Sequence, residues 1–350
     1  MNPVRTCQVV SAIAVVKLLT AMAFPVLATS SPIDPFAFFE PSVTITADDR
    51  SRMDAGDPIA HVIASKDPEV GVWAAVPVNI DGDRLVSWMH RIEELKKSTY
   101  VLAIGRFSDP PRLDDLADLS LDEEDASDLA DCRPAHCDFK VSAAEMTALQ
   151  HAAEQPGDLQ QRFRQIVLDR VNAYLSGGRI GPYADTDSEV WPGQEFDRLL
   201  DHSFLIKRAS SFAESLRGEH RASTPGVESF LYWSKERLGG KPIISVTDIR
   251  ILRGANDPSR PDVVVAGKQI FATHYVNASL GVTALVRGEP GRYLVYVNRS
   301  RLDLLHGTFA GIARWLMQRR LKAEAGTVLQ GLRRRLESGE PPPVAVTASP

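Results

Sequence analysis

The chain has 350 residues, of which 44% are hydrophobic and 24% are charged, and its formal net charge is −5. This composition is that of an ordinary globular protein and excludes a fibrous or wholly disordered chain. The acidic balance argues against a nucleic-acid-binding protein, because such proteins need a basic surface to contact phosphates.

Residues 1–28 have the pattern of a secretory signal peptide. They carry two basic residues and no acidic ones, residues 9–27 are largely apolar, and small residues precede a cleavage site after Ala28. The alternative is an uncleaved anchor that starts near Val9, although the apolar run after Lys17 is shorter than the roughly 20 residues that span a bilayer. We therefore predict an exported protein, periplasmic or extracellular, or associated with the membrane. Cleavage would change the formal charge from −5 to −7 by removing the two basic residues.

The region after the cleavage site divides into three parts. Residues 29–58 are rich in proline and predict an extended lead segment, docked by Phe36, Phe38 and Phe39. Residues 59–338 predict a single α+β domain, long enough to bury one core. The tail 339–350 begins at Gly339 and has three prolines at 341–343, and it is predicted to be disordered.

Two cysteines remain after cleavage, Cys132 and Cys137. In an exported protein they most simply form one disulfide, which would close a short loop. The alternative is a metal or redox site that adds His136, but the spacing matches no common metal or haem motif. We predict no metal and no cofactor.

The first half of the domain reads as mixed structure. Residues 70–78 and 100–107 predict strands, and apolar residues at three- and four-residue steps predict a helix over 83–97. The acidic stretch 114–131 predicts the solvated face of short helices, with calcium binding as the alternative. The alternating residues 137–142 predict a strand.

A mainly helical insertion is expected at about 143–240. Within it, residues 227–237 read as a last short segment of this helical block, after a break at Thr224-Pro225-Gly226. Strands then return over 243–252 and 293–298. Residues 263–286 are too long for one straight strand, and Gly267 and Gly281 predict bends or bulges.

One strand of this last third supplies the candidate pocket. Strand alternation places His274 on one face with Ile270, Ala272 and Val276, and Tyr296 follows on the next strand. These five residues are the predicted ligand pocket. His274 is a weak candidate for an acid or base, and the alternative is a packed histidine without a chemical role. The chain contains no nucleophile-elbow, phosphate-loop or dinucleotide motif that would identify a reaction.

The final helix, up to Ser338, is strongly basic. Its first half carries Arg314, Trp315, Arg319 and Arg320, which together predict contact with an anionic membrane surface. The alternative is a solvated polar face whose opposite side packs on the sheet.

The order of strand, helix, further strands and a long C-terminal helix resembles the helix-grip arrangement of the START/SRPBCC superfamily. The run from residues 295–302 into 309–316 is similar to the step from last strand to closing helix in those domains. The resemblance implies a curved antiparallel sheet that grips the C-terminal helix and holds a lipid or other apolar small molecule. The alternatives are an enzyme that uses the same pocket, with His274 as acid or base, and a membrane-surface adaptor that uses the basic helix.

Overall fold

A computed structural model describes residues 34–339, except 66–67, 134–135, 156, 178–179, 185–188, 218–223, 238–239, 255–256, 258, 289–290 and 306–309. The predicted signal peptide and all but the first residue of the predicted tail lie outside the described residues. The described residues form one compact unit.

Eight antiparallel strands form the main sheet in the order β1-β2-β10-β9-β8-β7-β6-β3. They are Ile59–Val62 (β1), Glu69–Val78 (β2), Val101–Arg106 (β3), Val227–Glu236 (β6), Ile243–Arg253 (β7), Val263–Ala272 (β8), Val276–Arg287 (β9) and Arg292–Leu302 (β10). Tyr183–Ala184 (β4) and Glu189–Val190 (β5) form a separate small pair.

The described helices flank this sheet. They are Ala47–Asp54 (α1), Gly82–Met89 (α2), Ile92–Lys96 (α3), Glu123–Asp131 (α4), Ala143–Ala153 (α5), Asp158–Leu175 (α6), Pro192–Asp201 (α7), Leu205–Arg208 (α8), Ser210–Leu216 (α9) and Ala310–Glu337 (α10). Short 3-10 turns occur at Ala37–Phe39, Leu113–Leu116 and Asp303–Leu305. Thr46 and Ser142 begin α1 and α5 with reciprocal capping hydrogen bonds.

The two faces of the sheet pack against different parts of the chain. In β2, Ala74 and Val76 face α2 and α10, whereas Trp73 and Ala75 face the opposite way. We call the side that faces α10 the grip face and the other side the insertion face. The insertion face is covered by α4–α9 and by the lead segment, whose three phenylalanines are buried there.

The sheet curls around α10. This helix packs along β1 and β2 at one edge of the sheet. Its Arg335 guanidinium donates hydrogen bonds to the carbonyl oxygens of Leu95 and Lys97, just before the strand at the opposite edge. Arg333, in the same turn of α10, donates to the Gly56 carbonyl oxygen just before β1. One turn of the helix thus reaches both edges, which requires the sheet to bend around it. The predicted α+β class, a curved antiparallel sheet that grips a C-terminal helix, with a helical insertion, is confirmed.

The bounds of the insertion differ from the prediction. It occupies residues 107–226, between β3 and β6, instead of about 143–240. The residues predicted as its last short helical segment form the strand β6. Phe230 and Tyr232 are buried on the grip face, and Leu231 and Trp233 on the insertion face. A strand buried on both faces loses its polar alternation, so its sequence is hard to distinguish from a helix.

Two further predictions about strands are wrong. Residues 137–142 are irregular, and outside the named strands only a bridge between Arg133 and His136 occurs there among the described residues. The long run 263–286 is not one straight strand, as predicted, but it is divided at Thr273–Tyr275, where Tyr275 has a φ of 59°. Gly267 and Gly281 instead pair with each other inside regular strands. A left-handed tyrosine is rare and leaves no sequence signal, so the position of the turn could not be predicted.

Buried polar contacts, one of them an ion pair, join the insertion to the sheet. Glu195 of α7 pairs with Arg301 of β10, and the Tyr174 hydroxyl of α6 lies 2.7 Å from a carboxylate oxygen of Asp248 in β7. The Lys268 ammonium of β8 donates to the Leu216 carbonyl oxygen at 2.9 Å. Because each cation has a buried partner, separating the insertion from the sheet would leave uncompensated charge. The insertion is therefore a fixed cover on this face.

Candidate functional site: a polar chamber beneath the C-terminal helix

One end of the grip face is closed by apolar packing. Val76, Leu294 and Leu285 of the sheet meet Leu329 and Leu336 of α10 there, and all five are buried. This end is solid core and leaves no room for a guest.

The rest of the grip face is polar and partly accessible to solvent. In part of each of β7, β8, β9 and β10 the grip-face residues are half-buried, while their neighbours on the insertion face are buried. Eight of these half-buried positions carry hydroxyl, amide or phenol groups: Ser245, Thr247, Gln269, Ser279, Thr283, Tyr296, Asn298 and Ser300. We call these eight residues the floor, and the solvent-accessible region over them, on the α10 side of the sheet, the grip chamber.

Part of the floor is held in place by its own hydrogen bonds. The hydroxyls of Ser279 and Ser300 are 2.9 Å apart, and the amide nitrogen of Asn298 donates to the Ser279 hydroxyl at 3.2 Å. The Ser300 hydroxyl donates to the Asn298 carbonyl oxygen at 2.9 Å. These side chains are therefore fixed before any ligand arrives, which reduces the entropy cost of binding.

Two facing glycines lower the floor at its centre. Gly267 and Gly281 are partners across β8 and β9. A β-carbon added at Gly281 would have the Tyr296 hydroxyl and the Asn298 amide nitrogen as nearest atoms, at 3.9 and 4.0 Å. The position therefore opens into space that a larger side chain could occupy.

The wall of the chamber holds a charged pair. The Lys96 ammonium, at the end of α3, lies 2.5 Å from a Glu236 carboxylate oxygen and 3.2 Å from the Tyr232 hydroxyl. Their side chains are 27% (Lys96) and 19% (Glu236) exposed. Burial alone would lower the pKa of Lys96, but Tyr232 and Glu236 together raise it above its ordinary value. Burial would likewise raise the pKa of Glu236, and Lys96 lowers it instead. Both groups are therefore ionised over a wide pH range.

Tyr296 lies beside this pair on the floor. Burial raises the pKa of its hydroxyl above the ordinary value; Lys96, Tyr232 and Glu236 are close enough to contribute electrostatically, and a side-chain hydrogen bond with Asn298 lowers the pKa in part. An amide N–H that donates to a phenol oxygen leaves the phenol proton free, so Tyr296 is a neutral phenol that can still donate its O–H.

The first half of α10 covers the chamber incompletely. Ala313, Met317 and Leu321 pack towards Leu302 and Leu305 at the end of β10. Trp315, by contrast, is 56% exposed, and Ile312 and Leu316 are exposed beside it. The Arg319 guanidinium lies 5.6 Å from the centroid of the Trp315 ring, and Arg320 pairs with Glu324 at 2.7 Å. Of the predicted membrane-contact residues, Trp315, Arg319 and Arg320 thus lie together on this half, and Arg314 is in the same stretch of helix.

The predicted pocket residues do not lie together. Tyr296 is on the grip face, and Val276 is half-buried against Leu302 near the start of α10. Ile270 packs on the insertion face, beside a shift of register between β7 and β8. Ala272 is buried, and its amide donates to the Tyr183 hydroxyl at 3.0 Å. The register shift breaks the strand alternation on which the prediction of one shared face depended.

His274 is in the turn between β8 and β9, not on a strand face. It is buried, its Nδ1 lies 3.0 Å from the Asp138 carbonyl oxygen and its Nε2 lies 3.1 Å from a carboxylate oxygen of Asp125. Both ring nitrogens thus bind protein atoms. Beside it is a cavity of about 300 Å³, lined by residues that include Asp128, His136 and Lys241. This arrangement favours a packing role for His274, and its role as acid or base stays a prediction without support from the geometry.

The predicted disulfide between Cys132 and Cys137 is confirmed, and it borders the same cavity. Within the part of the chain that the structure describes, no cluster of three or more histidine, cysteine or acidic side chains could hold a metal ion. Among those residues, no helix is long and apolar enough to cross a bilayer.

Sequence reasoning missed Lys96, Glu236 and most of the floor. The available signal was the recurrence of small polar residues at every second position within strands, as in Ser245 and Thr247 or Asn298 and Ser300. A pattern of this kind predicts a polar inner face. The partnership of Lys96 with Glu236 spans 140 residues and had no local signal.

The comparisons with known proteins identify no family for this chain. No protein-family model matches the chain. No curated protein matches it either. Among solved structures, the protein TTHA0849 from Thermus thermophilus is 14% identical with a TM-score of 0.24, over 41% of this chain and 88% of that one. Two di-domain ARO/CYC proteins are also similar. BexL from the BE-7585A biosynthetic pathway is 12% identical, with a TM-score of 0.23 over 81% of this chain and 77% of that one. StfQ from the steffimycin biosynthetic pathway is 14% identical, with a TM-score of 0.24 over 81% of this chain and 84% of that one. The fold class follows from the strand order and helix contacts of the chain itself.

Proposed function

We propose that this protein binds a small molecule in the grip chamber, and that the ligand has an apolar body and more than one oxygen-bearing group. The observation that carries this proposal is the accessible polar floor under α10. Hydroxyl and amide side chains inside a fold are normally paired and buried, whereas these remain partly open to solvent.

The chemistry of the chamber supports an amphipathic ligand more than a purely apolar lipid. The partly buried apolar side chains of α10, such as Ala325 and Leu332, offer apolar contacts, and burial of apolar surface contributes about 25 cal/mol per Å² to binding. The floor and the Lys96–Glu236 pair offer polar contacts, which set the orientation of a ligand. We further propose that the protein works after export, with the signal peptide removed.

Binding of Nile red, a neutral dye that fluoresces in apolar surroundings, tests this proposal. Gly281→Leu would place an isobutyl group in the chamber, and its β-carbon would meet no atom closer than 3.9 Å. Gly291→Leu is the matched control, since Gly291 is exposed and an added β-carbon there has no atom within 4 Å. We expect wild type and Gly291→Leu to bind the dye and Gly281→Leu to lose at least tenfold in affinity. Equal binding by all three proteins would contradict the proposal.

A second candidate function is contact with an anionic membrane surface through α10. The exposed side chains of Ile312, Trp315 and Leu316 favour it, because large apolar groups beside several cations are the composition of an interfacial helix. Flotation with liposomes tests it. We expect binding to vesicles that contain phosphatidylglycerol, little binding to phosphatidylcholine alone, and loss of binding in Trp315→Ser. Binding that is independent of anionic lipid would exclude this function.

A further inference from the structure

The Lys96 and Tyr232 side chains have hydrogen-bond donors left over in the grip chamber. A lysine ammonium has three N–H donors and accepts nothing. Two of them point to Glu236, at 2.5 Å, and to the Tyr232 hydroxyl, at 3.2 Å. Among the described residues, no acceptor lies within hydrogen-bonding distance for the third donor.

The Tyr232 hydroxyl accepts from Lys96, so its own proton is available to donate. Glu236 already accepts from Lys96 and from the Ser234 hydroxyl, at 2.6 Å. The Tyr296 hydroxyl lies close to the same pair on the floor. The wall therefore presents three donors, one N–H and two O–H, around one region of the chamber.

The net charge of the Lys96–Glu236 pair determines which kind of ligand oxygen these donors bind best. Glu236 balances the charge of Lys96, so the pair has no net charge. A ligand carboxylate would have to share the Lys96 ammonium with Glu236, so two anions would lie beside one cation. It would also lose its hydration without full compensation by a charge. A neutral oxygen acceptor, such as a ketone or an ester carbonyl, costs less to desolvate and can accept from both Lys96 and Tyr232.

We propose that Lys96, Tyr232 and Tyr296 form a recognition site for an uncharged carbonyl oxygen of the ligand, and that Glu236 makes the site select against carboxylates. This inference rests on the proposed function, because it specifies the ligand of the same chamber. Glu236 is a specificity-determining residue that acts through the charge of Lys96.

Three probes with the same dimethylaminonaphthalene body separate the possibilities. They are 6-propionyl-2-(dimethylamino)naphthalene, which carries a ketone, 2-(dimethylamino)naphthalene, which lacks it, and 6-(dimethylamino)-2-naphthoate, which carries a carboxylate. Emission of the ketone probe shifts to longer wavelength when its carbonyl accepts a hydrogen bond. Titration of the full chain with each probe therefore reports affinity and carbonyl hydrogen bonding separately.

For the wild type we expect the ketone probe to bind about tenfold more tightly than the probe without it, which corresponds to one net hydrogen bond. Tyr232→Phe should remove most of this preference and shift the bound emission to shorter wavelength. Tyr293→Phe is the matched control, because Tyr293 is equally buried but lies on the insertion face, and it should change nothing. Glu236→Gln frees the charge of Lys96, so it should raise the affinity for the carboxylate probe about tenfold relative to the ketone probe.

Two results would overturn the inference without affecting the proposed function. One is equal affinity of the wild type for the ketone probe and the probe that lacks it. The other is an unchanged ratio of carboxylate to ketone affinity in Glu236→Gln. Failure of all three probes to bind the wild type would instead defeat the proposed function, and this inference with it.

Discussion

Lys96 and Glu236 show how a charged pair persists inside a protein chamber. Burial opposes both charges, yet the pKa of the ammonium is raised and the pKa of the carboxyl is lowered, because each stabilises the other at 2.5 Å. The remaining solvent access of both side chains reduces the desolvation cost that makes fully enclosed pairs unfavourable. The pair is therefore both a structural contact and a preformed polar group for a ligand.

This pair should make stability depend on pH in a defined way. The folded-state pKa of Glu236 lies below its ordinary value of 4.5, so the contribution of the pair is present above that pH and is lost as pH falls through the folded-state pKa. The folded-state pKa of Lys96 lies above 10.5, so the contribution is present below that pH and is lost as pH rises further.

Urea unfolding of the wild type and of Glu236→Gln measures this contribution. The difference in unfolding free energy should be constant near neutral pH and should shrink below 4.5. Glu94→Gln is the control, because Glu94 is exposed and its carboxylate makes only a long contact, 4.0 Å, with the Lys97 ammonium. This variant should have little effect on the unfolding free energy at any pH. A difference between wild type and Glu236→Gln that grows in acid would contradict the assignment.

Gly105 and Gly281 provide a test of packing at single positions. A β-carbon on Gly105 would lie 2.8 to 2.9 Å from three atoms of the Trp233 indole, which is buried and donates to the Asp115 carbonyl oxygen. Gly105→Ala must displace the ring, so we expect a loss of about 1–3 kcal/mol of stability. Gly281→Ala meets nothing closer than 3.9 Å and should be close to neutral. Thermal unfolding of both variants checks the difference, and similar melting temperatures would contradict the packing described here.

At the scale of elements, α10 is held by one stripe of side chains. Leu329 is 3% exposed and packs in the closed end of the grip face, while its neighbour Val328 is 58% exposed. Leu329→Ala should cost about 2–5 kcal/mol, since it leaves a cavity. Val328→Ala should stay within about 0.5 kcal/mol. Chemical denaturation distinguishes the two, and a reversed order would mean that the helix packs through its other face.

The disulfide Cys132–Cys137 should act locally. Its loop is short, so the chain-entropy model gives a stabilisation of only about 2 kcal/mol. We expect the double variant Cys132→Ser/Cys137→Ser to unfold at a lower temperature, and to bind Nile red like the wild type because the bridge lies on the insertion side. Reduced wild type should behave like the double variant. Loss of dye binding would instead show that the disulfide supports the grip chamber.

Most of the elements that were predicted have one polar face. The helix α10 and the strands β7 and β10 follow periodic patterns, and their positions agree with the sequence prediction. The strand β2 is buried on both faces and was predicted instead from its run of β-branched and aromatic residues. The strand β6 was mistaken for helix because both of its faces are buried. The turn at His274 depends on a left-handed tyrosine, which no local pattern announces.

At the scale of the whole molecule, the insertion closes one face of the sheet and leaves the other for α10. No sequence pattern could place the insertion, because the polar contacts that fix it join residues more than 70 positions apart, such as the hydrogen bond of Tyr174 with Asp248 and the ion pair of Glu195 with Arg301. The floor was not predicted either, since its residues come from four different strands and meet only in the folded sheet. The sequence predicted an apolar interior, whereas the accessible part of the grip face is polar.

The central claim is that a small molecule occupies the space between this polar floor and α10. A crystal structure of the full chain grown with 6-propionyl-2-(dimethylamino)naphthalene tests it most directly. We expect the ring system over Gly267 and Gly281, beneath α10, with its carbonyl oxygen within hydrogen-bonding distance of Tyr232. A chamber filled by protein side chains, with the probe instead in the cavity beside His274 or on the exposed face of α10, would contradict the account.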